Sequence, residues 1–269
     1  MASSDKATGA ESRNKPPSNK NRERQTSIIV LLITFGAWIA LTETGFIPKL
    51  FLPSPVDVGK LAVEMIQNGR LQANVLASLR RIAIGYSTGT VAAIMVGFLM
   101  GRYPMFEAIV DPLFQLWRPV PPIAAIPLMI LWVGIGELSK VLVIAGGTFA
   151  VCLISVVTGI KNVPRLYLDS ARVMGAKEMD ILRYVILPSS VPYILSGMRT
   201  SIATAFGVMV AAELIASFEG IGFMLIMGKN LLRTDMIFLG LILIGLMVYI
   251  ADLILKRVDR HLTAWMERA

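Results

Sequence analysis

Residues 82–101 read IAIGYSTGTVAAIMVGFLMG, twenty consecutive positions without a charged side chain. A helix of this length matches the hydrocarbon thickness of a bilayer. In lipid the segment has to be a helix or part of a closed barrel, because no water is available to hydrogen-bond free backbone groups. Two glycine pairs, Gly85 with Gly89 and Gly97 with Gly101, are spaced to let a neighbouring helix approach closely. The stretch therefore predicts a transmembrane helix.

Five further stretches have the same character. Hydrophobic residues make up 55% of the 269 residues and charged residues only 16%, whereas soluble domains carry about a quarter charged residues. The additional predicted spans are residues 27–42, 119–136, 141–160, 189–212 and 236–251. We therefore predict an all-α, polytopic membrane protein with about six transmembrane helices. A soluble enzyme, a disordered chain and a disulfide scaffold are excluded.

The spans are bounded by a polar segment at each end. Residues 1–25 contain Pro16, Pro17 and charges of both signs, so they cannot bury a core and are predicted to be a disordered tail. Residues 26–258 form the predicted transmembrane domain, and residues 259–269 form a C-terminal tail. No cleavable signal peptide is expected, because more than twenty polar residues precede the first apolar segment.

Basic residues indicate the orientation. Six spans place both termini on one side, which carries 17 Lys and Arg residues when Arg118 is counted there, whereas the opposite side carries 8. Because loops rich in Lys and Arg stay in the cytoplasm, both termini are predicted to be cytoplasmic. The net charge of +8 is mainly this orientation signal, and no nucleic-acid partner is expected.

The lone cysteine and the lone histidine limit the chemistry further. Cys152 has no second cysteine to pair with inside the chain. With His261 as the only histidine, a His/Cys metal site within one chain is implausible. Neither a metal site nor a catalytic residue is predicted.

The loop between the fourth and fifth spans carries the most specific pattern. Residues 163–188 read VPRLYLDSARVMGAKEMDILRYVILP. Gly175 suits the left-handed position that follows a helix end. Glu178 and Asp180 favour the start of a second helix, which Pro188 is expected to close at the membrane surface. The prediction is a two-helix hairpin that projects into the cytoplasm.

The residues alone leave two interpretations of this hairpin open. Its exposed charge suits a surface helix that lies on lipid headgroups. However, the loop is longer than most connections between elements. It therefore also suits a docking element that fits a groove on a soluble partner.

The hairpin resembles the EAA loop of the membrane subunits of ATP-binding-cassette importers. The family pattern is Glu-Ala-Ala, three residues, Gly, nine residues and Ile-x-Leu-Pro. This chain keeps the spacing, with Asp169 for Glu, Ser170 for the first Ala and Val185 for Ile. In that family the loop is the coupling helix that docks into the ATPase subunit. The resemblance assigns docking to Asp169, Ala171, Arg172, Gly175, Ala176, Leu187 and Pro188.

Weaker signatures outside the loop resemble one branch of that family, which imports nitrate, taurine, alkanesulfonates and related small anions. Over roughly residues 27–265, the matching segments are 51–55, 118–122, 134–137, 212–214 and 220–224. The resemblance implies a permease subunit that works by alternating access in the bacterial cytoplasmic (inner) membrane. It also implies a second copy of the chain, two ATPase subunits and an extracytoplasmic substrate-binding protein.

The sequence holds no Gly-x-x-x-x-Gly-Lys-Ser/Thr phosphate loop. ATP therefore has to be hydrolysed on another chain, and no cofactor is expected in this one. ATP and Mg belong to the partner subunits.

Four residues in or beside the spans are candidates for a pathway or a bracing role. An ionisable group costs about 2.5–3.5 kcal/mol at the bilayer centre on insertion scales, so Glu213 needs a partner or a wet cavity. We favour bracing of residues 220–222 by Glu213 over substrate contact. Arg118 is a candidate for attracting an anion. Pro121 and Pro122 interrupt the third span, which is tolerated where neighbours or a cavity satisfy the freed backbone groups.

The alternative function is a self-sufficient secondary transporter or channel. Such a protein is expected to show paired repeats with broken helices in both halves, and the sequence shows no such repeat. A membrane-bound enzyme is disfavoured, because the spans hold no cluster of His, Cys or paired carboxylates.

Overall fold

The computed structural model describes residues 20–44 and 47–264, and all regular elements in these ranges are helical. The α-helices are α1 (Lys20–Glu43), α2 (Pro55–Gln67), α3 (Arg70–Arg102), α4 (Pro104–Trp117), α5 (Ile126–Val133), α6 (Glu137–Lys161), α7 (Arg165–Val173), α8 (Glu178–Ile181), α9 (Leu187–Ala216), α10 (Ile221–Asn230) and α11 (Thr234–Thr263). A 3₁₀ turn at Pro122–Ala125 precedes α5, and a π-helical turn at Leu182–Ile186 joins α8 to α9. The predicted all-α class is confirmed.

The first compact unit comprises residues 1–55. Within α1, the stretch Ile28–Glu43 is apolar but shorter than a full span. The indole Nε1 of Trp38 donates a hydrogen bond of 3.0 Å to the carbonyl oxygen of Pro53. This bond ties the segment that follows α1 back to the helix.

The two predicted tails overlap the terminal helices. α1 begins inside the predicted tail 1–25, and α11 ends inside the predicted tail 259–269. The remaining tail residues, 1–19 and 265–269, lie outside the described part of the chain.

The second unit, residues 56–269, contains the long apolar helices. In the described part of the chain, α3, α6, α11 and the continuous run Glu178–Ala216 are each long and apolar enough to cross a membrane. α4 and the segment Pro122–Val133 form a fifth candidate, bent by 90°. The count of six helices and the side of the termini remain predictions.

The third predicted span, residues 119–136, is broken rather than continuous. The chain turns after α4 at Arg118, and helix resumes at Pro122 at 90° to α4. Proline has no backbone N–H and restricts the residue before it, so Pro119 and Pro121 prevent the helix from continuing. The charge pattern predicts a cytoplasmic position for Arg118, whereas the structure places it at the break within an apolar helix pair.

Glycines let α3 pack closely on α6. An ideal Cβ on Gly85 would lie 2.7 Å from Cγ2 of Ile144, and one on Gly89 would overlap the carbonyl oxygen of Ala145. The ideal Cβ positions of Gly97 and Gly101 also meet side chains of α6. The predicted close approach through these glycines is confirmed.

Four charged side chains join α3, α6 and α9 at the end where α6 begins. Arg81 donates hydrogen bonds of 2.8 and 2.7 Å to Glu137, and one of 2.7 Å to Glu213. Lys140 donates one of 2.9 Å to Glu137. Arg81, Lys140 and Glu213 are 3%, 5% and 0% exposed. Each buried charge therefore has an opposite partner, which offsets its desolvation.

Glu213 also contacts the corner between α9 and α10. Its Oε2 accepts a hydrogen bond of 2.8 Å from the backbone N–H of Gly222. The Ser78 hydroxyl donates to the same carboxylate at 2.8 Å and accepts from the N–H of Ile221 at 2.9 Å. Gly220 has a φ of 123°, and an ideal Cβ there would lie 2.5 Å from Oε2 of Glu213. These contacts support the proposal that Glu213 braces the corner.

Replacing Gly89 by Ala is expected to destabilise the contact between α3 and α6. The added Cβ would overlap the backbone oxygen of Ala145, and overpacking of this kind typically costs about 1–3 kcal/mol. Gly245→Ala in α11 is the matched control, because no atom lies within 4 Å of its ideal Cβ. Thermal unfolding of the detergent-solubilised chain measures both variants. Equal midpoints would contradict this packing.

Glu213→Leu is expected to destabilise the chain strongly, since it leaves Arg81 buried with only Glu137 to balance it. Removing one partner of a buried ion pair costs about 3–5 kcal/mol. The double variant Arg81→Leu/Glu213→Leu should unfold at a higher temperature than Glu213→Leu alone, because no unpaired charge remains at that position and Lys140 still pairs with Glu137. Strictly additive effects of the two single variants would argue against the pairing.

Candidate functional site

Residues 163–188 form the hairpin that the sequence predicts. Gly175 follows α7 with a φ of 83°, so its predicted left-handed conformation is confirmed. Its N–H donates a hydrogen bond of 2.9 Å to the carbonyl of Arg172, and the N–H of Ala176 donates one of 3.0 Å to the carbonyl of Ala171. These two bonds are the pair that defines the Schellman helix end.

The second helix of the hairpin starts at Glu178. The Asp180 carboxylate accepts a hydrogen bond of 3.2 Å from the N–H of Lys177, as in a capping box. Arg172 lies 3.3 Å from carboxylate oxygens of both Asp169 and Glu178. These ion pairs are exposed, so water screens them and they stabilise the hairpin little.

Pro188 does not close the hairpin, which corrects the prediction. It lies in the first turn of α9, inside the continuous run Glu178–Ala216. The N–H of Leu187 donates to the carbonyl of Leu182, five residues back. This π-type bond widens the helix just before the residue that lacks an N–H, so the helix continues. The second arm of the hairpin is therefore the beginning of a candidate span.

The predicted docking residues differ in exposure. Ala171 is only 6% exposed, so it supports the hairpin from inside rather than offering a surface. Ala176 and Pro188 are half-buried. The exposed members of the set are Asp169, Arg172, Gly175 and Leu187.

The hairpin also exposes apolar side chains that the sequence analysis did not select. Their exposed fractions are 71% for Leu166, 88% for Val173, 80% for Met174 and 62% for Met179. Leu166 and Val173 are two helical turns apart, so they share one face of α7. The seven-residue spacing in the sequence indicates a shared apolar face. The sequence does not show, however, whether that face is buried or exposed.

A cavity of about 280 Å³ lies at the break between α4 and α5. Arg118, Pro121 and Pro122 all line it, so three of the four pathway candidates lie together. Glu213 does not line it and belongs to the charge cluster with Arg81. The rest of the wall comes from Trp117, Val120, Ala125, Met129, Leu142, Val143, Gly146, Gly147, Ala150, Val151, Ile154 and Thr204.

The cavity lies near mid-height of α6. Its α6 wall extends from Leu142 to Ile154, which is roughly 8–25 Å along the helix axis from the first residue of α6. At the far end of α6, Lys161 pairs with Glu107 at 2.6 Å. Arg118 is thus distant from both charged ends of the bundle.

The part of the chain that the structure describes contains no group of three or more His, Cys, Asp or Glu side chains that could hold a metal ion. Cys152 is fully buried, and His261 is exposed on α11. Neither residue lines the cavity or belongs to the hairpin.

Comparison with known proteins identifies the family. The family described as "Binding-protein-dependent transport system inner membrane component" matches residues 89–268. A probable ABC transporter permease protein of Brucella abortus is 39% identical over 243 residues, 90% of this chain and 96% of that protein. The taurine transport system permease protein TauC of Escherichia coli K12 is 35% identical over 250 residues, 91% of each chain. The putative aliphatic sulfonates transport permease protein SsuC of Bacillus subtilis is 32% identical over 258 residues, 96% of this chain and 94% of that protein.

Solved structures share the fold. The MetNI methionine ABC transporter in inward facing conformations contains a chain with a TM-score of 0.63 and 20% identity, covering 72% of this chain and 95% of that chain. An amino acid ABC transporter gives a TM-score of 0.56 at 14% identity, over 78% of this chain and 98% of that one. At these identities the likeness concerns the fold alone.

The matching family covers more than half of this chain, and several relatives above 30% identity cover most of it. These relatives are permeases, which are transport components rather than enzymes. The chain therefore belongs to the binding-protein-dependent transport system inner membrane components, as a multi-pass permease subunit of an ABC transporter.

Proposed function

We propose that the chain forms the translocation pathway of an ATP-driven importer for small sulfonates, such as taurine and alkanesulfonates, in the bacterial inner membrane. Relatives named for taurine and for aliphatic sulfonates, at 35% and 32% identity, support this substrate class. Transport proceeds by alternating access, in which the spans open the pathway to one side of the membrane at a time. The energy comes from ATPase subunits that are separate chains.

The exposed apolar side chains of the hairpin are the main structural support for a separate ATPase that docks on this chain. Val173 and Met174 are among the most exposed large hydrophobic residues of the chain, at 88% and 80%. They lie beside Arg172, whose exposed guanidinium pairs with Asp169 at 3.3 Å. An apolar face bordered by charges suits a groove on a soluble protein, and exposed apolar patches of this kind mark interaction sites.

The ATPase is the partner that this surface fits best. The 269 residues hold no phosphate loop, so ATP and Mg must bind elsewhere. The rigid Schellman turn at Gly175 and the continuous helix Glu178–Ala216 link the hairpin directly to a candidate span. A displacement of the docked partner would therefore be passed along α9 into the membrane.

The complete transporter then contains two copies of this chain, two ATPase subunits and an extracytoplasmic substrate-binding protein. The family's description as a component of a binding-protein-dependent system supports the binding protein. Exposed apolar side chains along α3 and α11, such as Met95 and Leu246, suit contact with lipid tails.

Uptake of radiolabelled taurine tests the function directly. The complex is purified from its host through a tag on this chain and reconstituted into liposomes with the binding protein added. We expect taurine or alkanesulfonate uptake that requires ATP on the ATPase side and stops with vanadate. Sulfonate uptake by this chain alone, without ATP, would instead establish a secondary transporter or channel.

Val173→Glu is expected to detach the ATPase. Seating the hairpin in an apolar groove would bury the new charge, and a loss of about 1.4 kcal/mol or more in binding free energy weakens the association at least tenfold. Asn162→Glu is the control, because it adds the same charge at an exposed position between α6 and α7. The measurement is the amount of ATPase that co-purifies with the tagged chain. Equal retention in both variants would contradict docking through this face.

A further inference from the structure

Arg118 differs from Arg81, Lys140 and Arg199 in its exposure or its partners, because its side chain is exposed and, within the described part of the chain, unpaired. Arg81 and Lys140 bind glutamates in the charge cluster, and Arg199 lies 3.4 Å from Asp252. In residues 20–44 and 47–264, the Arg118 side chain makes no ion pair and no hydrogen bond. Arg118 therefore presents an exposed, unpaired positive charge at the break between α4 and α5.

A cation at this depth requires either water or an anion, because lipid does not solvate it. The break between α4 and α5 supplies the space, since Arg118 lines the cavity of about 280 Å³. Ligand pockets for drug-sized molecules begin at about 300 Å³. The cavity thus suits a small solute.

The other residues that line the cavity indicate which chemical class of solute it can bind. Thr204 of α9 also lines the cavity, and its hydroxyl has no hydrogen-bond partner in the described part of the chain. Most of the other lining side chains are apolar, Val143 and Met129 among them. An anionic head with several acceptor oxygens and a short hydrocarbon body matches such a wall.

We propose that Arg118 binds the sulfonate group of the transported solute midway across the membrane. The planar guanidinium donates two parallel hydrogen bonds to two sulfonate oxygens, and the Thr204 hydroxyl donates to the third. The carbon chain of the solute lies along the apolar wall from α5 and α6. This inference rests on the proposed function for its substrate class and assigns that substrate a site.

The prolines give the site its shape. Pro121 and Pro122 follow the last turn of α4, where the chain bends by 90°, and they line the same cavity as Arg118. Pro122 packs on α6 at Gly147, where an ideal Cβ would lie 3.2 Å from the Pro122 Cβ. The bend and the two prolines thus form the wall beside Arg118.

Gly146 offers a way to alter the site without disturbing the fold. It lines the cavity, and no atom lies within 4 Å of its ideal Cβ. Gly146→Leu therefore reduces the room for the carbon chain without a backbone clash. Gly245→Leu in α11 is the matched control, because its ideal Cβ also meets no atom and it does not line the cavity.

The experiment measures uptake by the reconstituted transporter, with binding protein saturating, for methanesulfonate, taurine and hexanesulfonate. Arg118→Gln is expected to lower kcat/KM for all three at least tenfold while the ATPase still co-purifies. Arg118→Lys should restore part of the loss, because it returns the charge without the bidentate fork. Gly146→Leu should reduce hexanesulfonate uptake more than methanesulfonate uptake, and Gly245→Leu should leave all three unchanged.

Three results would overturn the inference. Normal sulfonate uptake by Arg118→Gln would show that the charge is not used. Loss of the ATPase or of the second copy from Arg118→Gln would show that Arg118 pairs with another subunit instead. Equal effects of Gly146→Leu on short and long sulfonates would place the carbon chain elsewhere. If the wild-type complex itself transports no sulfonate, the proposed function is wrong. This outcome differs from the three above, in which the wild-type complex transports sulfonates and only the assignment of the site fails.

Discussion

The absence of water inside a bilayer is the constraint on which the whole structure depends. Backbone groups are satisfied by long helices, and the helices approach closely because glycines such as Gly89 leave no side chain between them. Charges obey the same constraint. Arg81, 3% exposed, is held by Glu137 and Glu213, so α3, α6 and α9 meet at a neutral cluster rather than at an unpaired ion.

In the described part of the chain, two regions leave groups without a matching environment. Both regions take part in the proposed function. At the α4–α5 break, Arg118 carries a charge that no described residue balances, next to a cavity. On the hairpin, Val173 and Met174 expose apolar surface among charged neighbours. The first region is the proposed sulfonate site, and the second is the proposed docking face for the ATPase.

Local patterns in the sequence were sufficient for much of this description. Uncharged runs predicted the long helices, and Gly175 predicted the left-handed turn of the hairpin, because both depend on neighbouring residues. The prediction that Pro188 closes the hairpin is wrong, since a π-helical turn of the preceding residues accommodates the missing N–H. The uncharged run predicts a span that begins after Arg118, because the sequence does not show that the prolines break a helix pair that begins at Pro104. The partnership of Arg81 with Glu213 joins residues far apart in sequence and leaves no local signature.

Site-specific photo-cross-linking most directly tests whether a separate ATPase is seated on the hairpin. A photoreactive residue at Met174, 80% exposed, is compared with one at Leu246, 51% exposed on α11, in the purified and reconstituted transporter. The ATPase subunit, identified by mass spectrometry, should be captured from position 174 and not from position 246. Capture of lipid alone at position 174 would contradict the coupling role of the hairpin.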